Sequence, residues 1–65
     1  MAEKYIGRVV QIIYQDAKGR ITQRTVLIQS VESGKIRAYD VLKKQPRMFI
    51  DDRVLAVQPV MRHAS

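Results

Sequence analysis

The chain contains no cysteine, and His63 is the single histidine among its 65 residues. These absences exclude disulfides, thiolate metal sites and a histidine-rich zinc site. The three glycines, Gly7, Gly19 and Gly34, are too far apart to build a glycine-rich phosphate loop. Nucleophilic catalysis needs a base beside Ser or Thr, and His63 lies in a tail that we expect to be frayed. We therefore predict a protein that is not an enzyme and that uses no metal and no cofactor.

Long hydrophobic runs are also absent. No apolar run approaches the ~20 residues that span a bilayer, and residues 1–5 lack the apolar core of a signal peptide. We therefore expect a cytoplasmic protein with no membrane partner. At this length the prediction is one domain over residues 1–65, with its core at about residues 7–58 and frayed ends.

Charge of one sign dominates the sequence. There are 12 Lys and Arg against 6 Asp and Glu, which gives a formal net charge of +6. Such an excess is typical of proteins that bind nucleic acid, although positive charge also serves solubility alone. Hydrophobic residues make up 46% of the chain, which indicates a folded domain and not a disordered one.

Short apolar runs separated by turn signals predict an all-β domain. The five predicted strands cover residues 9–14, 21–31, 35–42, 47–50 and 54–58. Hairpin turns are predicted at Asp16–Gly19 and at Glu32–Gly34, where Asp starts a turn and Gly supplies a positive φ. The segment 43–46, which ends in Pro46, is expected to end the third strand. Residues 51–53 are expected to form a tight turn or one turn of 3₁₀ helix. Because a sheet this small must cover its edges, we predict closure into a barrel.

Asp40 falls on the otherwise apolar face of the third predicted strand. Either it reaches the rim of the barrel, or it pairs with a basic residue such as Arg24 or Arg47. Pairing is the favoured interpretation because an unpaired buried carboxylate is costly. Three further side chains are predicted to pack in the protein interior: Tyr14, Met48 and Phe49.

Basic and aromatic side chains are concentrated between residues 35 and 53. The group comprises Lys35, Arg37, Tyr39, Lys43, Lys44, Arg47, Phe49 and Arg53. Guanidinium groups bind phosphates bidentately, and exposed aromatic rings stack on bases. Lys35, Arg37 and Tyr39 have the same parity and should therefore share one face of their strand. The alternative is an ordinary solvated outer face, with the ring of Tyr39 covering apolar surface.

Residues 38–54 resemble the C-terminal half of the WYL domain family. Ala38-Tyr39-Asp40 is similar to the small-aromatic-polar triplet of that family. The R-x-F-x-x-D-R-[IV] motif that follows it is matched by Arg47, Phe49, Asp52, Arg53 and Val54. Upstream, the first predicted hairpin resembles that of the family in Ile13-Tyr14, Gly19 and Arg24-Thr25-Val26. The likeness covers roughly residues 9–57, although the Trp-Tyr-Leu positions of the family are Gly34-Lys35-Ile36 here.

The resemblance implies a small five-stranded SH3-like or Sm-like barrel, in agreement with the strand count. It also implies a regulatory module of bacterial transcription regulation that senses a ligand, in several members single-stranded nucleic acid or a nucleotide-like molecule. The basic binding residues of the family correspond to Arg24, Arg47 and Arg53, with Tyr39 beside them, and Phe49 corresponds to a core anchor.

Together, the resemblance and the basic-aromatic group predict a binding site for single-stranded nucleic acid or another phosphate-bearing ligand. The predicted site residues are Arg24, Arg37, Tyr39, Lys43, Lys44, Arg47 and Arg53. The alternative function is an SH3-like protein-interaction or oligomer-assembly module that binds no nucleic acid. In that case exposed edge strands would pair with another protein or with further copies of the chain.

Overall fold

The computed structural model describes residues 2–60, and these form five β-strands and two single-turn 3₁₀ helices. In chain order the elements are η1 (Glu3–Tyr5), β1 (Val9–Gln15), β2 (Ile21–Glu32), β3 (Lys35–Asp40), β4 (Gln45–Ile50), η2 (Asp51–Arg53) and β5 (Val54–Pro59). The all-β prediction and the 3₁₀ turn at residues 51–53 are confirmed. No helix in this part of the chain is long and apolar enough to cross a bilayer.

All five strands belong to one antiparallel sheet with the order β4-β3-β2-β1-β5. Both predicted hairpins are present. In the first turn, Asp16 accepts hydrogen bonds from the N–H groups of Lys18 and Arg20, each at 2.9 Å. In the second, Ser33 and Gly34 both have positive φ, 51° and 75°, which is the signature of a type I′ turn. Local turn chemistry therefore sets the order of the three central strands.

The predicted closure into a barrel is not found. Strands β4 and β5 are the two edges of the sheet, and no ladder joins them within residues 2–60. The three-residue helix η2 connects these strands at one end, after which β5 pairs with β1. The two edge strands are therefore close at the end where η2 connects them, but they form no ladder with each other. Register shifts between Ile28 and Ser30 and between Ile13 and Tyr14 are β-bulge irregularities, which bend a sheet.

The end of β3 and the start of β4 differ from the prediction. Strand β3 stops at Asp40, because the Asp40 carboxylate accepts the N–H groups of the next residues and starts a turn. Leu42, predicted inside the strand, is 74% exposed in that turn. Strand β4 begins at Gln45 and includes Pro46, which a strand tolerates at the edge of a sheet.

One face of the sheet, called the inner face, carries the buried residues. The hydrophobic core consists of Ala2, Val10, Ile12, Val26, Ile28, Ile36, Ala38, Phe49 and Val54, and Tyr14 packs against it. Interior packing is thus confirmed for Phe49 and Tyr14, but it is wrong for Met48, which is 54% exposed on the opposite, outer face. The frayed N-terminus is also wrong, because Ala2 is fully buried beside η1. The other expected frayed end, with His63, lies outside the described residues.

Candidate functional site

Asp40 is the one charged residue buried within residues 2–60, at 1% exposure. Its Oδ1 accepts the N–H groups of Leu42 at 3.1 Å and Lys43 at 2.9 Å. Its Oδ2 accepts a hydrogen bond from Nε of Arg47 at 3.3 Å and lies 3.9 Å from Nη1 of Arg24. The predicted pairing of Asp40 is confirmed, and both candidate partners take part.

The pKa of Asp40 lies below its usual range. The largest cause is the hydrogen bond from the Lys43 N–H, and the Arg47 guanidinium and the Leu42 N–H act in the same direction. Burial acts the other way but is outweighed. The carboxylate therefore stays ionised at neutral pH and holds its two arginine partners by charge.

Strand register brings this group, the Asp40 cluster (Arg24, Asp40 and Arg47), together from three strands. Val26 of β2 is directly opposite Asp40, so Arg24, two residues earlier on the same face, is a diagonal neighbour. On the other side, Ala38 is opposite Arg47 of β4, which makes Arg47 the second diagonal neighbour. Both arginines therefore converge on one carboxylate on the inner face.

The two guanidinium groups keep most of their donors available. Their side chains are 30% exposed for Arg24 and 29% exposed for Arg47. Arg47 donates to Asp40 through Nε alone, and the 3.9 Å separation of Arg24 is too long for a hydrogen bond. Two positive charges face one negative charge, which leaves one surplus positive charge. Such an arrangement attracts an anion with more than one acceptor oxygen.

An open hollow of about 190 Å³ lies over these arginines. It is lined by Tyr14, Asp16, Thr22, Arg24, Arg47, Met48 and Phe49. The rings of Tyr14 and Phe49 pack edge to face with centroids 5.0 Å apart, and they form an aromatic wall. The Asp16 carboxylate is held by Arg20 at 3.2 Å and by the turn amides, so its charge is largely compensated.

The other predicted site residues do not gather at this hollow. Arg37 and Tyr39 lie on the outer face, because neighbouring residues of a strand point to opposite sides of the sheet. Lys43 and Lys44 are in the β3–β4 turn next to the Asp40 cluster. Arg53 is in η2 and lines a separate hollow of about 250 Å³ with the β1–β2 turn. Of the seven, only Arg24 and Arg47 share the Asp40 cluster, and the expected position of Tyr39 beside them is wrong.

Tyr14 and Thr22 line the hollow but were not predicted as site residues. They are directly opposite one another in the first hairpin, and the Thr22 hydroxyl donates to the Tyr14 carbonyl oxygen at 3.5 Å. The signal was present in the sequence, because counting outward from the Asp16–Gly19 turn pairs these positions on the face of Arg24. From the hairpin we predicted that β1 and β2 are neighbours, but not which of their residues are opposite one another.

Comparison of the chain with protein-family models, with curated proteins and with solved structures finds no match. Residues 2–60 hold no group of three or more His, Cys, Asp or Glu side chains arranged to bind a metal ion. A functional assignment therefore depends on the chemistry of the Asp40 cluster and on the surfaces around it.

Proposed function

We propose that the protein is a non-enzymatic binding module that recognises single-stranded nucleic acid, or another phosphate-bearing ligand, at the Asp40 cluster. The observation that carries this proposal is the convergence of two partly exposed guanidinium groups on one buried carboxylate. The fork of donors on each arginine matches the oxygens of a phosphate. Asp40 holds the guanidinium of Arg47 by a hydrogen bond and attracts that of Arg24 by charge before a ligand arrives, which lowers the entropy lost on binding.

The size of the hollow limits what enters it. Its volume of about 190 Å³ is below the roughly 300–1,000 Å³ of pockets that enclose a drug-sized ligand. One phosphate group therefore fits beside the two arginines, while the remainder of the ligand lies across the surface. Lys43 and Lys44 in the adjoining turn are exposed, and they supply positive charge for a neighbouring phosphate.

The proposal includes membership of the WYL domain family, an SH3-like or Sm-like fold, and a role in bacterial transcription regulation in the cytoplasm. Two placements support it. Arg24 and Arg47, which correspond to basic binding residues of that family, lie together on one face. Phe49, which corresponds to a core anchor, is 5% exposed. The five antiparallel strands also match the strand number of that fold, although the sheet is open between β4 and β5.

The alternative function, assembly through paired sheet edges, is opposed by the prolines. The chain has two, and both lie in edge strands, Pro46 in β4 and Pro59 in β5. In an antiparallel strand, alternate residues direct their backbone groups towards the neighbour and towards the open edge. The Ile50 N–H donates to the Tyr14 hydroxyl and not to β3, so Pro46 and Met48, which have the same parity as Ile50, face the open edge.

A strand from another chain that paired with β4 would therefore find few backbone N–H donors on it. Pro46 has no N–H, and the N–H of Ile50 is already bonded, which leaves the N–H of Met48 on the outward side. Pro59 removes a donor from β5 in the same way, and prolines on edges are a known protection against strand addition. We expect sedimentation equilibrium to give a monomer of 7.5 kDa.

The test is binding of fluorescein-labelled oligothymidine and oligouridine of about 12 nucleotides, followed by fluorescence anisotropy and amide NMR. Two neutralised phosphates predict that affinity falls about sevenfold between about 50 and about 200 mM salt. Arg24→Gln should weaken binding about tenfold without unfolding, because Arg24 donates no hydrogen bond to Asp40. The matched control is Arg8→Gln, which removes the same charge at an exposed position before β1. Equal losses in the two variants, or no binding at the lower salt, would contradict the proposal.

A further inference from the structure

The outer faces of β3 and β4 carry two parallel rows of unlike side chains. Their register places Lys35 opposite Ile50, Arg37 opposite Met48 and Tyr39 opposite Pro46. The β3 row is cationic and aromatic, whereas the β4 row is apolar and exposed, with Met48 at 54% and Ile50 at 39%. We call these six residues the outer rows. They lie on the opposite side of the sheet from the Asp40 cluster.

Two hollows flank the centre of the outer rows, and both are lined by Arg37 and Met48. One has a volume of about 180 Å³ and lies towards the β2–β3 turn. The other has a volume of about 440 Å³ and is also lined by Gln29, Pro46 and Arg47. The ion pairs within residues 2–60 involve Asp16 and Asp40, and none involves Lys35 or Arg37. Glu32 is directly opposite Lys35 and lines the smaller hollow, whereas Arg37 has only Ser30 and Met48 opposite it. The surface therefore combines the positive charge of Arg37, which has no acidic residue opposite it, with exposed apolar groups and space beside them.

We infer that the outer rows dock an extended segment of a partner protein in which acidic and aliphatic side chains alternate. An extended segment that lies on top of this face, along the line where β3 meets β4, directs alternate side chains to opposite sides, one set towards Lys35 and Arg37 and the other towards Met48 and Ile50. Its repeat of two residues is about 6.6–6.8 Å, which equals the spacing along each row. The flexible thioether of Met48 adapts to apolar side chains of differing shape.

Charge and chemistry exclude the other occupants. A second copy would bring a chain of net charge +6 against the same cationic row. Residues 61–65 of the chain include Arg62 and no acidic residue, so they do not complement the surface. Single-stranded nucleic acid would match Lys35 and Arg37 but would bring no aliphatic side chains to the exposed row of Pro46, Met48 and Ile50. The edge prolines also direct the partner to the face of the sheet and not to its edge.

The experiment uses a fluorescein-labelled peptide, Glu-Leu-Glu-Val-Glu-Leu-Glu, blocked at both ends. Its controls are the same peptide with Lys in place of Glu and a block-sequence peptide of identical composition. We expect amide shifts at Lys35, Arg37, Met48 and Ile50 with the alternating acidic peptide only. Arg37→Glu should weaken its binding about tenfold, whereas Arg8→Glu, the same charge reversal at another exposed position, should change it less than about twofold.

Three results would overturn this proposal. These are no binding at about 1 mM peptide, equal losses in the two charge-reversal variants, or shifts confined to the inner face around Arg24 and Thr22. Oligothymidine that shifts the outer rows more strongly than the peptide would assign this surface to nucleic acid instead. The hollows of the two proposed sites share Arg47 and Met48, so the variants that separate the sites are Arg24→Gln for the Asp40 cluster and Arg37→Glu for the outer rows. Failure here, with Arg37→Glu, leaves the result of Arg24→Gln at the Asp40 cluster standing.

Discussion

Replacing Tyr14 with phenylalanine tests whether one hydroxyl links the two halves of the open sheet. That hydroxyl accepts a hydrogen bond from the Ile50 N–H at 3.0 Å and so connects β1 to β4, which share no ladder. The ring of Tyr14 packs edge to face on Phe49, a contact that phenylalanine retains. A typical internal hydrogen bond contributes about 0.5–1.5 kcal/mol, and this one is exposed, so water replaces the lost acceptor in part. We therefore expect Tyr14→Phe to cost about 0.5–1 kcal/mol.

For a domain of this size, that loss lowers Tm by about 2–8 °C. Thermal and urea unfolding followed by circular dichroism measure it, and hydrogen exchange of the Ile50 amide should become faster. Tyr39→Phe is the matched control, because the Tyr39 hydroxyl makes no hydrogen bond within the part of the chain that the structure describes. Equal stability losses in the two variants, or unchanged exchange at Ile50, would refute the reasoning.

Three further outcomes follow from the same structure. Phe49→Ala removes a ring that is 5% exposed and should cost about 3–5 kcal/mol, so a well-dispersed amide NMR spectrum of that variant would contradict its core role. The lowered pKa of Asp40 means that its contribution is complete above the unfolded pKa of about 3.9 and is lost as pH falls towards the folded value. The urea concentration at the unfolding midpoint should therefore decrease when the pH falls below about 4. Asp40→Asn should make this decrease smaller, and an identical pH dependence in the variant and the original protein would argue against the pairing. Ser33→Asn should raise stability by about 0.5 kcal/mol, because Asn tolerates the positive φ before Gly34, and a lower urea midpoint would disprove this.

The Asp40 cluster and the outer rows divide the basic residues of β3 and β4 between two faces. A strand that carries Tyr39 and Asp40 in succession must present one to each side, so no single surface uses both. The sequence predicted one mixed basic-aromatic site because those residues are close along the chain. The sheet separates them because the side-chain period of a strand is two.

Prediction succeeded where the controlling chemistry is local. The turns at Asp16–Gly19 and Ser33–Gly34 follow from side-chain capping and positive φ, and both hairpins are where they were expected. The cost of burying a charge predicted that Asp40 pairs with a basic residue such as Arg24 or Arg47, and both are its partners. The predicted ends of the strands were less accurate. Strand β3 ends two residues earlier than predicted, because the Asp40 carboxylate accepts hydrogen bonds from the N–H groups of Leu42 and Lys43.

The sequence by itself determined the strands, the two hairpins and which residues alternate along each strand, because these depend on interactions within a few residues. Only the tertiary structure decided that β5 pairs with β1, that the edges stay apart, and that Arg24 and Arg47 meet at one carboxylate. The pairing of β5 with β1 joins strands far apart in the chain, so no local pattern specifies it. The meeting of Arg24 and Arg47 depends on the bulge between Ile28 and Ser30 and on the turn that Asp40 starts, because these two irregularities set which residues of β2, β3 and β4 are neighbours.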